Sequence, residues 1–266
     1  MGIRVNADTG AFKLTFLGTR GEIEARSRRH RRHSSLLVQY NKARIMIDCG
    51  ADWLGRLRTI APTAIVLTHA HPDHAAGLAE GAPCPVYATK ATWNLLRRFP
   101  IHDRRRILLR KSAVIDGVRF EAFGVKHSIQ APAVGYRVSA RDCRFFYLPD
   151  VAGLPDVSGA LAGINVYIGD GATVKRSMMR HKGGALIGHA PITVQLRWCE
   201  KAGVPRAIFT HCGSPIVRGD GRVLNASVRR LGREHGIDAR VACDGDRLSF
   251  PGGRQRNWMQ RMSKHA

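Results

Sequence analysis

The sequence is poor in acid: 43 lysines and arginines stand against only 20 aspartates and glutamates, a net charge of +23. Such a field attracts polyanions, with RNA or DNA the first candidate partner. An arginine-rich composition without functional meaning is the alternative. Aromatics are also scarce, at 7%, which argues against a row of base-stacking platforms and for contact with phosphates. No run of about 18 uncharged apolar residues occurs, so no transmembrane helix and no membrane partner is expected. Met1 to Gly10 lacks a basic stretch leading into an apolar core, and Asn6 stands where myristoylation wants Ser or Thr; neither an export signal nor a lipid anchor is read. Cys49, Cys84, Cys143, Cys199, Cys212 and Cys243 contain no Cys-x-x-Cys pair. Reduced thiols, mostly buried, in a cytoplasmic protein are expected.

What is present is a globular composition, 44% apolar over 266 residues. It predicts one large domain over residues 1–251, followed by a basic, flexible tail over 252–266. The densest basic cluster is Arg26-Ser27-Arg28-Arg29-His30-Arg31-Arg32-His33, and Arg29 and Arg32 are its candidate substrate contacts. Arg97-Arg98, Arg104-Arg105-Arg106, Arg110-Lys111 and Lys175-Arg176 add further positive charge.

Alternation and turn residues predict strands over 12–17, 35–40 and 43–47, the last two joined by Asn41-Lys42. Strands follow at 64–68, 86–88, 118–125, 133–139, 143–148, 164–168, 207–210, 239–242 and 247–250. Helices are expected over 73–78, over 89–98 with Thr89 as its cap, over 193–202 ending at Gly203, and over 225–235 ending at Gly236. Gly171 to Gly188 reads as an extended loop or arm. Antiparallel strands first, then strands alternating with helices, predict a mixed α/β (α+β) fold with helices outside two packed sheets.

The chemistry starts directly after the strand at 64–68. His69-Ala70-His71-Pro72-Asp73-His74 places four ligand-type side chains in six residues. His69 and His71 leave one side of the loop, while Asp73 and His74 open the next helix and can face a second metal. Imidazole and carboxylate together suit Zn²⁺ first, with Mn²⁺ or Fe as alternatives. Two metals need more ligands. Three later strands each end in a ligand-type residue: His127, Asp150 and His211, at the strand ends where α/β folds collect their sites.

His-x-His-x-Asp-His followed by a lone His, an Asp and a final His resembles the metallo-β-lactamase superfamily, over roughly residues 12 to 250. The resemblance implies a four-layer αββα sandwich with the site at one edge of its sheets. It implies two divalent metals, the first held by His69, His71 and His127, the second by Asp73, His74 and His211, with Asp150 bridging. A bridging water acidified by both cations would then attack a scissile phosphodiester.

Phe16-Leu17-Gly18-Thr19, Ser34-Ser35, Ile47-Asp48-Cys49-Gly50 and Gly188-His189-Ala190-Pro191 resemble the tRNA 3′-processing endonuclease branch, with which the cyclic phosphodiesterases are grouped. The resemblance makes His189 a proton donor or phosphate contact, Asp73 a ligand with a catalytic role, and a homodimer an allowed assembly. This chain departs from that branch where Asp170-Gly171-Ala172-Thr173 replaces His-Glu-Ala-Thr: the His and Glu that would tune the proton donor are absent, and Asp170 could partly substitute for them. The expected function is therefore a dinuclear phosphodiesterase acting on a nucleic acid or a cyclic or nucleotide phosphodiester. A lactone or thioester hydrolase of the same fold is one alternative, needing an apolar pocket; a non-catalytic nucleic-acid-binding protein is another.

Overall fold

The computed structural model describes residues 12–250; the expected tail at 252–266 lies outside them. Within this range, sixteen strands form two seven-stranded sheets and a separate hairpin. The first sheet contains β1 (Phe12–Gly18), β2 (Ser35–Tyr40), β3 (Ala43–Ile47), β4 (Ala64–Val66), β5 (Val86–Ala88) and β6 (Arg104–Arg106), joined at the end of the chain by β16 (Arg247–Phe250). Its order is β16-β1-β2-β3-β4-β5-β6. The second contains β7 (Ser112–Ile115), β8 (Val118–Val125), β9 (Ala133–Ala140), β10 (Cys143–Tyr147), β11 (Val166–Asp170), β14 (Arg206–Thr210) and β15 (Asp238–Val241). Here the order is β15-β14-β11-β10-β9-β8-β7. Between β11 and β14, β12 (Arg180–Lys182) and β13 (Ala185–Ile187) form the hairpin.

Each sheet buries one face against the other. Phe12, Leu14, Phe16, Val38 and Ile45 of the first meet Phe120, Tyr136, Val138 and Phe145 of the second in one continuous core. This is the period-2 alternation of β1 and β8 turned into layers. Seven short or medium helices cover the outer faces: α1 (Leu57–Ile60), α2 (Pro72–Ala75), α3 (Lys90–Leu95), α4 (Val157–Leu161), α5 (Ile192–Lys201), α6 (Ser214–Arg218) and α7 (Gly221–Glu234). A second apolar cluster joins α5 and α7 to the outside of one sheet through Leu196, Cys199, Val228, Leu231 and Phe209. A third packs Trp53, Leu57, Ala75, Leu78 and Leu96 on Met46, Ile65 and Leu67 of the other. The result is the expected αββα sandwich.

Strand direction collects the site. β10, β11, β14 and β15 are mutually parallel. Two antiparallel steps through β9 make β8 parallel to them as well. The residues that follow β8, β10 and β14, namely His127, Asp150 and His211, therefore emerge at one edge. In the other sheet β4 runs parallel to β3 and β5 and releases the His69–His74 segment.

Several elements differ from the sequence expectation. α7 begins at Gly221 rather than 225, because Asp220 caps it by accepting from Arg222 N at 2.7 Å and Val223 N. Arg104–Arg106 is a strand despite three consecutive exposed arginines; it pairs parallel to β5 at the sheet edge, where charge blocks further pairing. The arm at 171–188 holds the β12–β13 hairpin. All six cysteines are unpaired, four of them buried. Among the described residues no helix is long and apolar enough to cross a membrane.

Candidate metal centre

The strand ends bring seven sequence-predicted side chains together. His69, His71 and His127 form one group of potential ligand atoms; Asp73, His74, Asp150 and His211 form the other. His69 Nε2 lies 3.0 Å from His71 Nδ1, which in turn lies 3.3 Å from His127 Nε2. Asp150 stands between the groups, with Oδ2 2.6 Å from His74 Nε2 and 3.7 Å from His69 Nε2, and Oδ1 3.2 Å from His211 Nδ1. Asp73 Oδ2 is 2.9 Å from His211 Nε2 and 3.1 Å from His74 Nε2.

The outward-facing atoms of these rings are held by neighbours. His74 Nδ1 donates to Asp48 Oδ2 at 2.9 Å. The Asp48 carboxylate also accepts from Thr68 N at 2.8 Å and from the Thr68 hydroxyl. With its proton given to Asp48, that hydroxyl accepts from His69 Nδ1 at 3.0 Å, so the lone pair of His69 Nε2 faces inward. His127 Nδ1 donates to Gly188 O at 3.2 Å and presents its own Nε2 in the same way. Such outer partners fix the tautomer and raise the basicity of a ligating imidazole. In the sequence Asp48 stands out only within Ile47-Asp48-Cys49-Gly50, and a carboxylate at the end of β3 is its one available signal.

The donor set fits a divalent cation. His74 Nε2, both carboxylate oxygens of Asp150 and His211 Nδ1 are buried without an aligned hydrogen-bond partner, which is costly unless another group satisfies them. Burial, with the neighbouring rings, pushes His69, His71 and His127 below the ordinary imidazole range. Their lone pairs are therefore free at neutral pH. Burial opposes a charge on His74, yet Asp73, Asp48 and Asp150 outweigh it and hold that imidazole's pKa well above the usual value. Three carboxylates around one ring demand positive charge, and a proton on His74 supplies what a cation would supply with more effect.

Two backbone features shape the cage. Asp48 and His211 both adopt left-handed φ, +63° and +53°, a conformation that costs a non-glycine residue on the order of 1 kcal/mol or more and persists where surrounding contacts enforce it. Gly50 lets the chain pass directly over the carbonyl of Asp73, which any Cβ there would strike.

His189 stands beside the cage. Its Nδ1 donates to Asp170 Oδ2 at 2.8 Å and lies 3.3 Å from Asp150 Oδ1. Asp170 is fully buried, also accepting from Val151 N and Ala172 N. Burial works against protonation of His189, but Asp170 and Asp150 prevail and raise its pKa to about 9.

The basic loop meets a different fate. Arg20 is buried, its Nη2 2.5 Å from Asp52 Oδ2 and 2.8 Å from His33 Nε2, while Gly21 packs on the His211 ring. Arg32 lies over the Trp53 ring, 5.1 Å from its centroid. Arg29 packs against Gly221 at the start of α7. Among the described residues neither arginine touches the cage. Burial and Arg20 push the His33 pKa down to about 4. The unfolded chain accepts a proton near pH 6.5 that the native state resists, so this contribution is complete above that pH and is lost as pH falls toward 4. Denaturant melts across this interval should show a shallower pH slope for His33→Gln than for the wild type; an unchanged slope refutes the assignment.

A family model described as the beta-lactamase superfamily domain matches residues 43–212. Over 121 residues the chain is 32% identical to ribonuclease Z of Archaeoglobus fulgidus, covering 42% of this chain and 34% of that protein. The matches span about a quarter to a third of the length of the curated relatives. The metallo-beta-lactamase fold protein YhfI from Bacillus subtilis superposes with a TM-score of 0.72 at 15% identity, over 91% of this chain and 100% of its own. A diphosphatase from the PhnP family superposes at 0.69 and 23% identity, over 90% and 97%. At these identities the structural likeness speaks to fold alone.

Proposed function

The chain belongs to the beta-lactamase superfamily, and from that membership and the cage we propose that it is a metal-dependent hydrolase of phosphodiesters. One observation carries the reading: two abutting sets of donors, all buried except the half-buried His71, meet at Asp150, with a protonatable His189 at their margin. The local likeness to ribonuclease Z supports a phosphodiester of RNA or a nucleotide as substrate.

His69, His71 and His127 would hold one divalent cation and Asp73, His74 and His211 a second, with Asp150 shared. Bound there, zinc or a similar cation would acidify water and neutralise charge developing on phosphate oxygens. The remaining work falls to the chain. Asp48 and Thr68 keep His74 and His69 in one tautomer. Asp170 holds His189 by Nδ1, leaving Nε2 to donate a proton to the departing oxygen. The Asp170 carboxylate at Nδ1 favours the charged ring and so supports that role.

A second reading has its own observation. An apolar cavity of about 500 Å³, lined by Ile107, Leu108, Leu109, Val125, Ala133 and Val134, also includes Lys126 next to His127. A lactone or thioester with an apolar tail would suit it. The deciding experiment is a panel of bis-aryl phosphodiester, cyclic ribose phosphate, RNA, lactone and thioester with metal-reconstituted protein. Phosphodiester turnover, lost to chelator and restored by metal, is expected. Turnover of lactone or thioester alone refutes the first reading, and turnover of nothing favours a non-catalytic binding protein.

A further inference from the structure

A further cavity among the described residues has no counterpart in the reaction just described. It encloses about 380 Å³ between α7 and the end of β15, and four arginines line it: Arg29, Arg222, Arg229 and Arg240. One carboxylate faces them, Asp246. It is already engaged by Arg240 Nη1 at 2.5 Å and by Cys243 N. Arg29, Arg222 and Arg229 are exposed, and among the described residues their guanidinium groups make no ion pair. Asn225 gives its carboxamide oxygen to Val241 N at 2.9 Å, leaving its NH₂ as one more donor. Donors and positive charge thus crowd a concave site that contains too little acid to balance them.

The position of the cavity relates it to the cage. β14 and β15 run parallel, with Phe209 in register with Val241 and Ala242 N donating to Phe209 O at 2.8 Å. His211 and Cys243 each lie two residues further on, just past the ends of these neighbouring strands. Asp244 then ties this turn to the basic loop, accepting from Thr19 Oγ1, Arg31 N and Arg32 N. The cavity therefore flanks the cage along the same sheet edge.

We propose that this arginine-lined cavity binds the phosphate backbone of a single-stranded nucleic acid whose scissile phosphodiester lies in the cage. Planar guanidinium forks match phosphate oxygens in bidentate fashion. No aromatic ring lines the cavity, so it grips backbone and leaves base identity unread. The inference rests on the phosphodiesterase reading for the direction of the strand, but its test does not depend on turnover.

The test is fluorescence anisotropy with a short labelled single-stranded RNA, checked for intactness after each titration, at several salt concentrations. Arg222→Ala/Arg229→Ala should weaken binding about tenfold or more, as loss of charge-assisted hydrogen bonds implies. The slope of log K against log salt should flatten by about 1.4, at about 0.7 for each lost phosphate contact. The control is Arg97→Ala/Arg98→Ala, which removes the same charge from exposed positions outside the cavity; its affinity should stay within about threefold of the wild type. Arg222→Lys/Arg229→Lys, which keeps the charge and loses the forks, should fall between and guards against a folding defect in the alanine variant. Equal weakening by both alanine pairs, no weakening by the cavity pair, or no RNA binding by the wild type overturns the proposal. A protein that binds RNA through the cavity yet hydrolyses no phosphodiester would refute the proposed function and leave this site standing.

Discussion

Asp150→Asn is expected to remove most of the hydrolytic activity and to weaken metal retention at the same time. Asp150 is buried and lies within 3.7 Å of His69, His74, His189 and His211. Asparagine keeps the volume but removes the charge, and its NH₂ offers no lone pair to a cation. Loss of phosphodiester kcat/KM should be about 10³-fold or more, since both water activation and charge neutralisation suffer. Metal content after dialysis should fall below that of the wild type. Stability gives an independent readout. Metal at about 100 times its Kd should stabilise the wild type by about 2.7 kcal/mol, or roughly 5–10 °C in a protein of this size. The variant should gain much less. Wild-type metal content together with wild-type turnover in Asp150→Asn would refute the cage as the reaction centre.

In the sequence Asp150 stands out by its place at the end of an apolar strand, and signals of that kind mark most of the fold and the cage. β1 and β8 declare themselves by alternation, because one face of each meets the opposite sheet. β4 and β11 are buried throughout and read as short apolar runs. The His69–His74 segment is legible because its residue types and spacing serve metal ligation and little else. Arg104–Arg106 carries no such signature: a parallel edge strand needs only backbone pairing with β5, and its side chains face solvent. The fates of Arg29 and Arg32 were equally hidden. Position in a basic cluster says nothing about which guanidinium stacks on Trp53 and which enters a cavity beside α7. Asp48 is a single acid among apolar neighbours, and its role exists only through its contact with His74, more than twenty residues away; Asp170 is legible only as a partial stand-in for the missing His-Glu pair, and its contact with His189 comes from the fold. The left-handed turns at Asp48 and His211 fall on residue types that tolerate that conformation, with no local signal that singles out these two positions.

His189→Ala and Asp170→Asn should both slow turnover while leaving the metal in place, and the leaving group should decide how much. If His189 protonates the departing oxygen, its removal should cost about 10²- to 10⁴-fold with RNA or another alkoxide leaving group. With a nitrophenyl phosphodiester, whose leaving group departs without a proton, the loss should shrink to a small fraction of that. Asp170→Asn should follow the same pattern more mildly, because Asp170 acts through His189. Its carboxylate fixes the Nδ1 proton at 2.8 Å and favours the charged ring. An amide at that buried position would also set its NH₂ against a donor, either Val151 N or Ala172 N, both now satisfied by the carboxylate. A melting temperature for Asp170→Asn separates this structural cost from the catalytic one. The comparison that matters is the ratio of losses between the two substrates. A ratio well above one in both variants, at unchanged metal content, identifies His189 as the acid and Asp170 as its positioning residue. Equal losses on both substrates would assign His189 to phosphate binding instead, where leaving-group chemistry has no influence.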